Sequence, residues 1–222
     1  MNLKGLFAGA TRKRPTGKRV VVVFAHPNRS SFVGAMLDRC LSSLRSGGAE
    51  VRLIDLYADG FVPAMSRSEW NRYPEGAVTA EIEYYVHSLR WADALVLVYP
   101  TWFGSQPAIL KGWFDRVWLP GVAFSLPEGR GHLRPLLRNI ASLTVVTSHG
   151  SGKLMNALQG EPGKRAALRG FRSLCNRRCR SSWVAFYGND GASDPDRHAF
   201  LGRVTRHFAA GGDRSGRGPG GV

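Results

Sequence analysis

A chain of 222 residues with a hydrophobic fraction of 43% is long enough to bury a full core as one domain. No apolar run reaches the ~18 residues of a membrane helix, and three cysteines are too few for a disulfide framework, so the default location is the cytoplasm. The 31 Lys and Arg exceed the 16 Asp and Glu by +15, a balance that favours anionic partners such as pyrophosphates, nucleic acid or anionic lipid.

Residues 1–18 mix glycine, proline and positive charge and read as a flexible basic arm. Arg19 to Ala25 (RVVVVFA) predicts a buried strand, β-branched and too short for a helix. His26 to Ser31 follows as a polar turn, and Ser31 to Arg45 predicts a helix with Phe32, Ala35, Met36, Leu37, Cys40, Leu41 and Leu44 on one stripe, ended by Gly47-Gly48. Ala49 to Leu56 predicts a second strand. Residues 57–78, punctuated by Pro63, Pro74 and Gly76, read as irregular. Thr79 to Trp91 predicts a second helix, with Ile82, Tyr85, Val86 and Leu89 inward.

Asp93 to Tyr99 predicts a central strand covered on both faces, with Pro100 stopping the ladder because it has no N–H to donate. Thr101 to Gln106 is a loop with two adjacent aromatics. Pro107, at the first helical position, opens a helix carrying Ile109, Leu110, Trp113, Phe114 and Val117 at helical spacing. An excursion at 119–138 leads to a fourth strand, Asn139 to Thr147. A fourth helix is predicted within 163–177, a fifth strand from Ser181 to Tyr187, and a last helix capped at Ser193-Asp194-Pro195 and running through Phe208. The last twelve residues hold six glycines, and 209–222 read as a disordered tail. Strands alternating with helices argue for a three-layer α/β domain on a parallel sheet over residues 19–208.

Three loops beyond the carboxyl ends of strands have the chemistry of a ligand site. In His26 to Phe32 (HPNRSSF), a helix N-terminus offers N–H groups and dipole to an anion, and His26, Ser30 and Ser31 add donors. Plain helix capping by Ser30 or Ser31 is the alternative. In Pro100 to Phe103, Trp102 and Phe103 suit a flat conjugated ring and Thr101 can meet its polar edge, unless the two aromatics are ordinary core. In Thr147 to Gly152 (TSHGSG), Gly150 and Gly152 allow close backbone approach, with Thr147, Ser148 and His149 beside them. His149 either helps to hold charge there or is solvated. The basic run 164–180 (KRAALRGFRSLCNRRCR), with seven cations and no acids, is either a solvated face or an attractor of phosphates. Arginines beside Cys175 and Cys179 can lower a thiol pKa. No histidine or carboxylate group is spaced for a metal, and none is expected.

The stretch PAILKGWFDRV, with the YPTWFG loop before it, resembles the hallmark of the NAD(P)H:quinone oxidoreductase (DT-diaphorase) family. The resemblance runs from Arg19 to Phe208 and is nearest to bacterial NAD(P)H dehydrogenases. It implies a flavodoxin-like fold with a five-stranded parallel sheet in the order 2-1-3-4-5. It also implies a flavin (FMN, with FAD as the alternative) held by His26, Ser30, Ser31, Phe32, Pro100, Thr101, Trp102, Phe103, Thr147, Ser148, His149, Gly150 and Gly152. The implied activity is ping-pong: NAD(P)H reduces the flavin, which then reduces a quinone or similar flat acceptor, in a homodimer with its slot at the interface. Trp118 and Phe124 either wall that slot or pack in the core. The chain departs from the family at Val33, where many members have asparagine. It departs again after the glycine loop, where Met155-Asn156 and Glu161-Pro162 stand in place of a tyrosine and a histidine. Two other functions remain open: an ancillary flavin-bound subunit of a glutathione-gated potassium efflux system, and, ranked below it for want of a recognition motif, nucleic-acid binding.

Overall fold

The computed structural model describes residues 18–127 and 131–209. Apart from Lys18 and Ala209, the expected basic arm and glycine-rich tail lie outside the described residues.

The chain alternates strand and helix: β1 (Arg19–Phe24), α1 (Phe32–Ser46), β2 (Glu50–Asp55), α2 (Arg67–Arg72), α3 (Ala80–Trp91), β3 (Ala94–Pro100) and α4 (Ala108–Val117). A short antiparallel pair, β4 (Phe124–Ser125) and β5 (Arg134–Pro135), precedes β6 (Ser142–Ser148). Then come α5 (Lys153–Leu158), α6 (Pro162–Arg165), β7 (Arg180–Phe186) and α7 (Asp194–Ala209). The main sheet is parallel throughout, in the order β2-β1-β3-β6-β7. Counting only its five strands, that is the 2-1-3-4-5 order of the flavodoxin-like fold.

The valine run of β1 shows how the sheet is held. Successive side chains point to opposite faces. Val21 and Val23 enter the core under α3 and α4, with Leu95, Leu97 and Trp113. Val20, Val22 and Phe24 enter the core under α1 and α7, with Met36, Leu37 and Phe200. Each valine so buried contributes about 1.5–3 kcal/mol, and a polar residue on either face would cost one of the two cores.

Four local expectations need correction. Pro100 does not stop β3: it stands in register with Ser148, and the next N–H, of Thr101, donates to the Ser148 carbonyl at 2.8 Å. Pro107 is the N-cap of α4 rather than its first residue, its carbonyl accepting from Leu110 and Lys111. The irregular stretch at 57–78 contains α2, fixed by a capping box in which Ser66 Oγ accepts the Glu69 N–H and the Glu69 carboxylate accepts the Ser66 N–H. The fourth helix begins ahead of 163 and is broken. Gly160 (φ +81°) and Glu161 (φ +44°) separate α5 from α6, and α6 widens into a π-type segment at Ala166–Phe171.

Candidate active site

Strands β1, β3 and β6 end at the same edge of the sheet, and the loops that leave them meet there. After β1, Ser31 caps α1: its Oγ accepts the Gly34 N–H at 3.2 Å and lies 3.1 Å from His26 Nδ1. The Asn28 N–H donates to the same ring nitrogen at 3.0 Å, and the Ser30 N–H to Asn28 Oδ1 at 2.9 Å. No partner for the N–H of Phe32 or Val33 occurs among the described residues. Capping and anion donation therefore coexist: Ser31 satisfies one donor, and the first N–H groups of the helix stay unspent.

After β3, Trp102 and Ser105 close a tight turn through two reciprocal backbone bonds of 3.0 Å. Its two central residues, Phe103 and Gly104, both have positive φ (+48° and +74°), a conformation that costs a non-glycine residue about 1–2 kcal/mol. The turn lifts both rings out of the core: Trp102 is 43% exposed and Phe103 wholly so. A Cβ on Gly104 would stand 3.3 Å from Pro162, and the Gly163 N–H donates to the Gly104 carbonyl, which ties the turn to α6.

After β6, Thr147 is fully buried, with its hydroxyl 2.9 Å from that of Thr101. His149 is not solvated but 3% exposed. Its Nδ1 is 2.7 Å from Asn156 Oδ1, its Nε2 is 3.4 Å from Thr101 Oγ1, and its ring stacks on Tyr187 at 4.5 Å. Burial lowers the His149 pKa, against the Asn156 hydrogen bond, which raises it. Burial pushes the Tyr187 phenol up, helped by its 2.5 Å hydrogen bond to Glu161, to about 12. Gly150 permits the next contact, since a Cβ there would fall 2.4 Å from Asp190 Oδ2.

These loops enclose a cleft of about 480 Å³, within the range of small-molecule sites. His26, Ser31 and Phe32 line it from the first loop, Pro100 to Phe103 from the second, and Ser148, His149 and Gly150 from the third. Three expected residues do not line it. Ser30 is exposed outside, Thr147 stands behind Thr101, and Gly152 is the N-cap of α5, its carbonyl accepting from Asn156. The sequence reading missed Asn189 and Asp190, which line the cleft from the loop after β7, together with the lining roles of Asn156 and Gln159. Asn189 Oδ1 is buried with no hydrogen-bond partner. The loop beyond the carboxyl end of the fifth strand was the signal available for it. Trp118, by contrast, is core, packed on Trp113, Phe114 and Phe171.

Cys175 and Cys179 are both buried, at 1% and 2% exposure, so the arginines around them act on thiols that solvent does not reach. The hydrogen bond between the two thiols lowers the Cys179 pKa and raises that of Cys175. Among the described residues no group of His, Cys, Asp or Glu is placed to hold a metal ion, and no helix is long and apolar enough to cross a membrane.

The family model described as flavodoxin-like fold matches residues 18–208. The chain belongs to that family. Within it the chain is 34% identical over 163 residues to rat NAD(P)H dehydrogenase [quinone] 1, covering 66% of this chain and 58% of the rat protein. It is 36% identical over 110 residues to an uncharacterized NAD(P)H oxidoreductase of Haemophilus influenzae, covering 49% of this chain and 54% of that protein. Among solved structures, the NAD(P)H:quinone oxidoreductase of Methanothermobacter marburgensis superposes with a TM-score of 0.76 at 26% identity, over 87% of this chain and 98% of that one. The chain thus spans little more than half the length of the curated relatives it matches. The quinone oxidoreductase likeness of the PAILKGWFDRV stretch agrees with these matches.

Proposed function

We propose that the chain is a flavin-dependent NAD(P)H dehydrogenase that reduces a quinone or similar flat acceptor, with FMN as the cofactor and FAD as the alternative. The observation that carries this is the convergence, in one cleft, of an unspent helix N-terminus, an exposed indole and a buried amide oxygen without a donor. These fit the three parts of a flavin nucleotide. The N–H groups of Phe32 and Val33, with Ser31 and His26, would hold the phosphate. Trp102 would lie against the flat ring. Asn189 Oδ1 would accept the ring's one acidic N–H, which no sulfate, sugar or lipid head offers beside a flat apolar face.

Bound there, a flavin supplies hydride chemistry, taking an electron pair from a reduced nicotinamide and passing it to the acceptor. The protein's own part is positional and electrostatic. The His149 N–H is spent on the Phe186 carbonyl, which leaves that of Gly150, without a partner among the described residues, to favour negative charge near it. The strained Phe103 turn holds an aromatic over the open side, where both substrates would enter in turn. The resemblance supports a homodimer with that side at the interface, and the family match over 18–208 supports a flavin-binding domain of 19–208 flanked by the basic arm and the tail. The relatives' names favour this enzyme over the efflux-ancillary reading.

Steady-state oxidation of NADPH and NADH with a benzoquinone acceptor tests the proposal. Parallel double-reciprocal lines at varied acceptor are expected. A folded, flavin-loaded protein that oxidises neither nucleotide overturns it.

A further inference from the structure

His149 lines the cleft and is buried. Its tautomer can be read from its neighbours. The Asn156 side-chain nitrogen donates to the carbonyls of Ser151 and Gly152, at 3.0 and 2.9 Å. The oxygen of that amide must therefore be the atom 2.7 Å from His149 Nδ1, and an oxygen there requires Nδ1 to carry the proton. Nε2 is left with a lone pair, aimed at the Thr101 hydroxyl 3.4 Å away. Thr101 and Thr147 then form an ordered pair: Thr147 can donate to Thr101 Oγ1 at 2.9 Å while Thr101 donates to Nε2.

We propose that His149 is the proton acceptor of this cleft, neutral with its proton on Nδ1 and taking a second proton at Nε2 when an electron pair brings negative charge to a ring bound beside Thr101. The inference rests on the flavin reading above. Hydride transfer delivers one proton and two electrons to the ring, and one further proton comes from solvent to Nε2, so the pair of electrons enters with two protons and the cleft's net charge does not change. The new Nε2–H then donates to Thr101 Oγ1. That frees the Thr101 hydrogen to turn from the histidine toward the cleft, where it becomes a donor to the ring.

The surroundings suit a group held neutral but close to charging. Burial lowers the pKa. The charged and titratable groups around the imidazole come from several elements. Tyr187, stacked on the ring after β7, stays a neutral phenol. Glu161, between α5 and α6, is an anion; burial pushes its carboxyl up, but Lys164 and Tyr187 together hold it below its usual range. Lys164 is a cation at 2.7 Å from Glu161. Asp190 lies against Gly150 in the next loop. Glu161 favours a positive imidazole and Lys164 opposes it, so a cleft that itself turns negative adds its weight to the charged ring.

The test is the pH dependence of the bound flavin's midpoint potential in the holoprotein, for wild type and His149→Asn, with nitrogen-15 spectra of the imidazoles alongside. Expected are two protons per electron pair across neutral pH in wild type and one in the variant, a halved slope. The spectra should show an Nδ1–H tautomer for His149 without flavin and a doubly protonated ring after reduction. Equal slopes, or an Nε2–H tautomer in the flavin-free protein, overturn the role of His149 while leaving the flavin reading standing. If His149→Asn does not fold, the wild-type spectra decide: a ring that stays neutral on reduction overturns the proposal. A wild-type protein that binds no flavin removes both.

Discussion

Gly34 offers a direct handle on the anion turn, because one methyl group would separate the helix from the loop that it supports. A Cβ on Gly34 would lie 1.9 Å from the Arg29 carbonyl oxygen, against a floor of 3.0 Å for real contacts. Gly34→Ala must therefore push Arg29, and the exposed turn around it, by at least about 1.1 Å. The helix is not the part that yields, since Ala is a better helix former than Gly by about 1 kcal/mol. A shift of that size takes the turn's 2.9–3.2 Å hydrogen bonds beyond bonding distance and tilts the donors that face the phosphate. Losing one such bond to a charged group costs about 1.5–3 kcal/mol, or roughly a 10- to 150-fold weaker Kd. Titration calorimetry of flavin-free protein with FMN reads the change, and urea unfolding checks that the fold survives within about 1 kcal/mol. An FMN affinity within about twofold of wild type, in a variant with unchanged stability, would refute the assignment of this turn to the phosphate.

Other outcomes follow from the same geometry. Arg116 is 4% exposed, held by Glu69 at 2.5 Å and Glu81 at 2.8 Å. Arg116→Met leaves the nearly buried Glu69 without its partner and should cost about 3–5 kcal/mol in urea unfolding, whereas Glu81→Gln, at a 76% exposed site, should cost under about 1 kcal/mol; equal losses would contradict the burial argument. Phe103→Gly relieves a φ of +48° worth about 1–2 kcal/mol against a chain-entropy cost of roughly 0.5–1 kcal/mol, so monomer stability should hold or rise slightly. A loss of several kcal/mol would mean that the ring is covered, as a second copy would cover it. His149 and His207 both have pKa values lowered by burial. Unfolding lets each take a proton more readily than the folded chain does, so stability should fall as pH drops below the ordinary imidazole value, and His149→Asn should flatten that fall in a denaturation series. A steeper fall in the variant would contradict the neutral, buried ring.

The strands were legible because a parallel sheet covered on both faces demands continuous β-branched runs, and RVVVVF, ALVLVYP and SLTVVTS are such runs. Helix α4 was legible through its spacing: Ile109, Leu110, Trp113, Phe114 and Val117 are all buried as expected. Helix α2 was hidden because its six residues, RSEWNR, bury none of their number and carry no apolar stripe. Its stability comes from the Ser66–Glu69 box and the distant Arg116, a contact 47 residues away that local pattern cannot reveal. The cleft was legible as three loops and no further. His149 looked like any loop histidine until Asn156, Tyr187 and Thr101 closed around it from three other segments. Asn189 was missed for the same reason: an asparagine after a strand gains meaning only when its oxygen is seen buried and unanswered.

The proposed function requires a flavin in the cleft between His26, Trp102, His149 and Asn189. The most direct test is the visible absorption spectrum of the purified protein, with the released cofactor identified by mass. A yellow protein carrying one flavin nucleotide per chain, with the mass of FMN, is expected. A colourless protein that remains colourless after incubation with FMN or FAD and removal of the excess would contradict it.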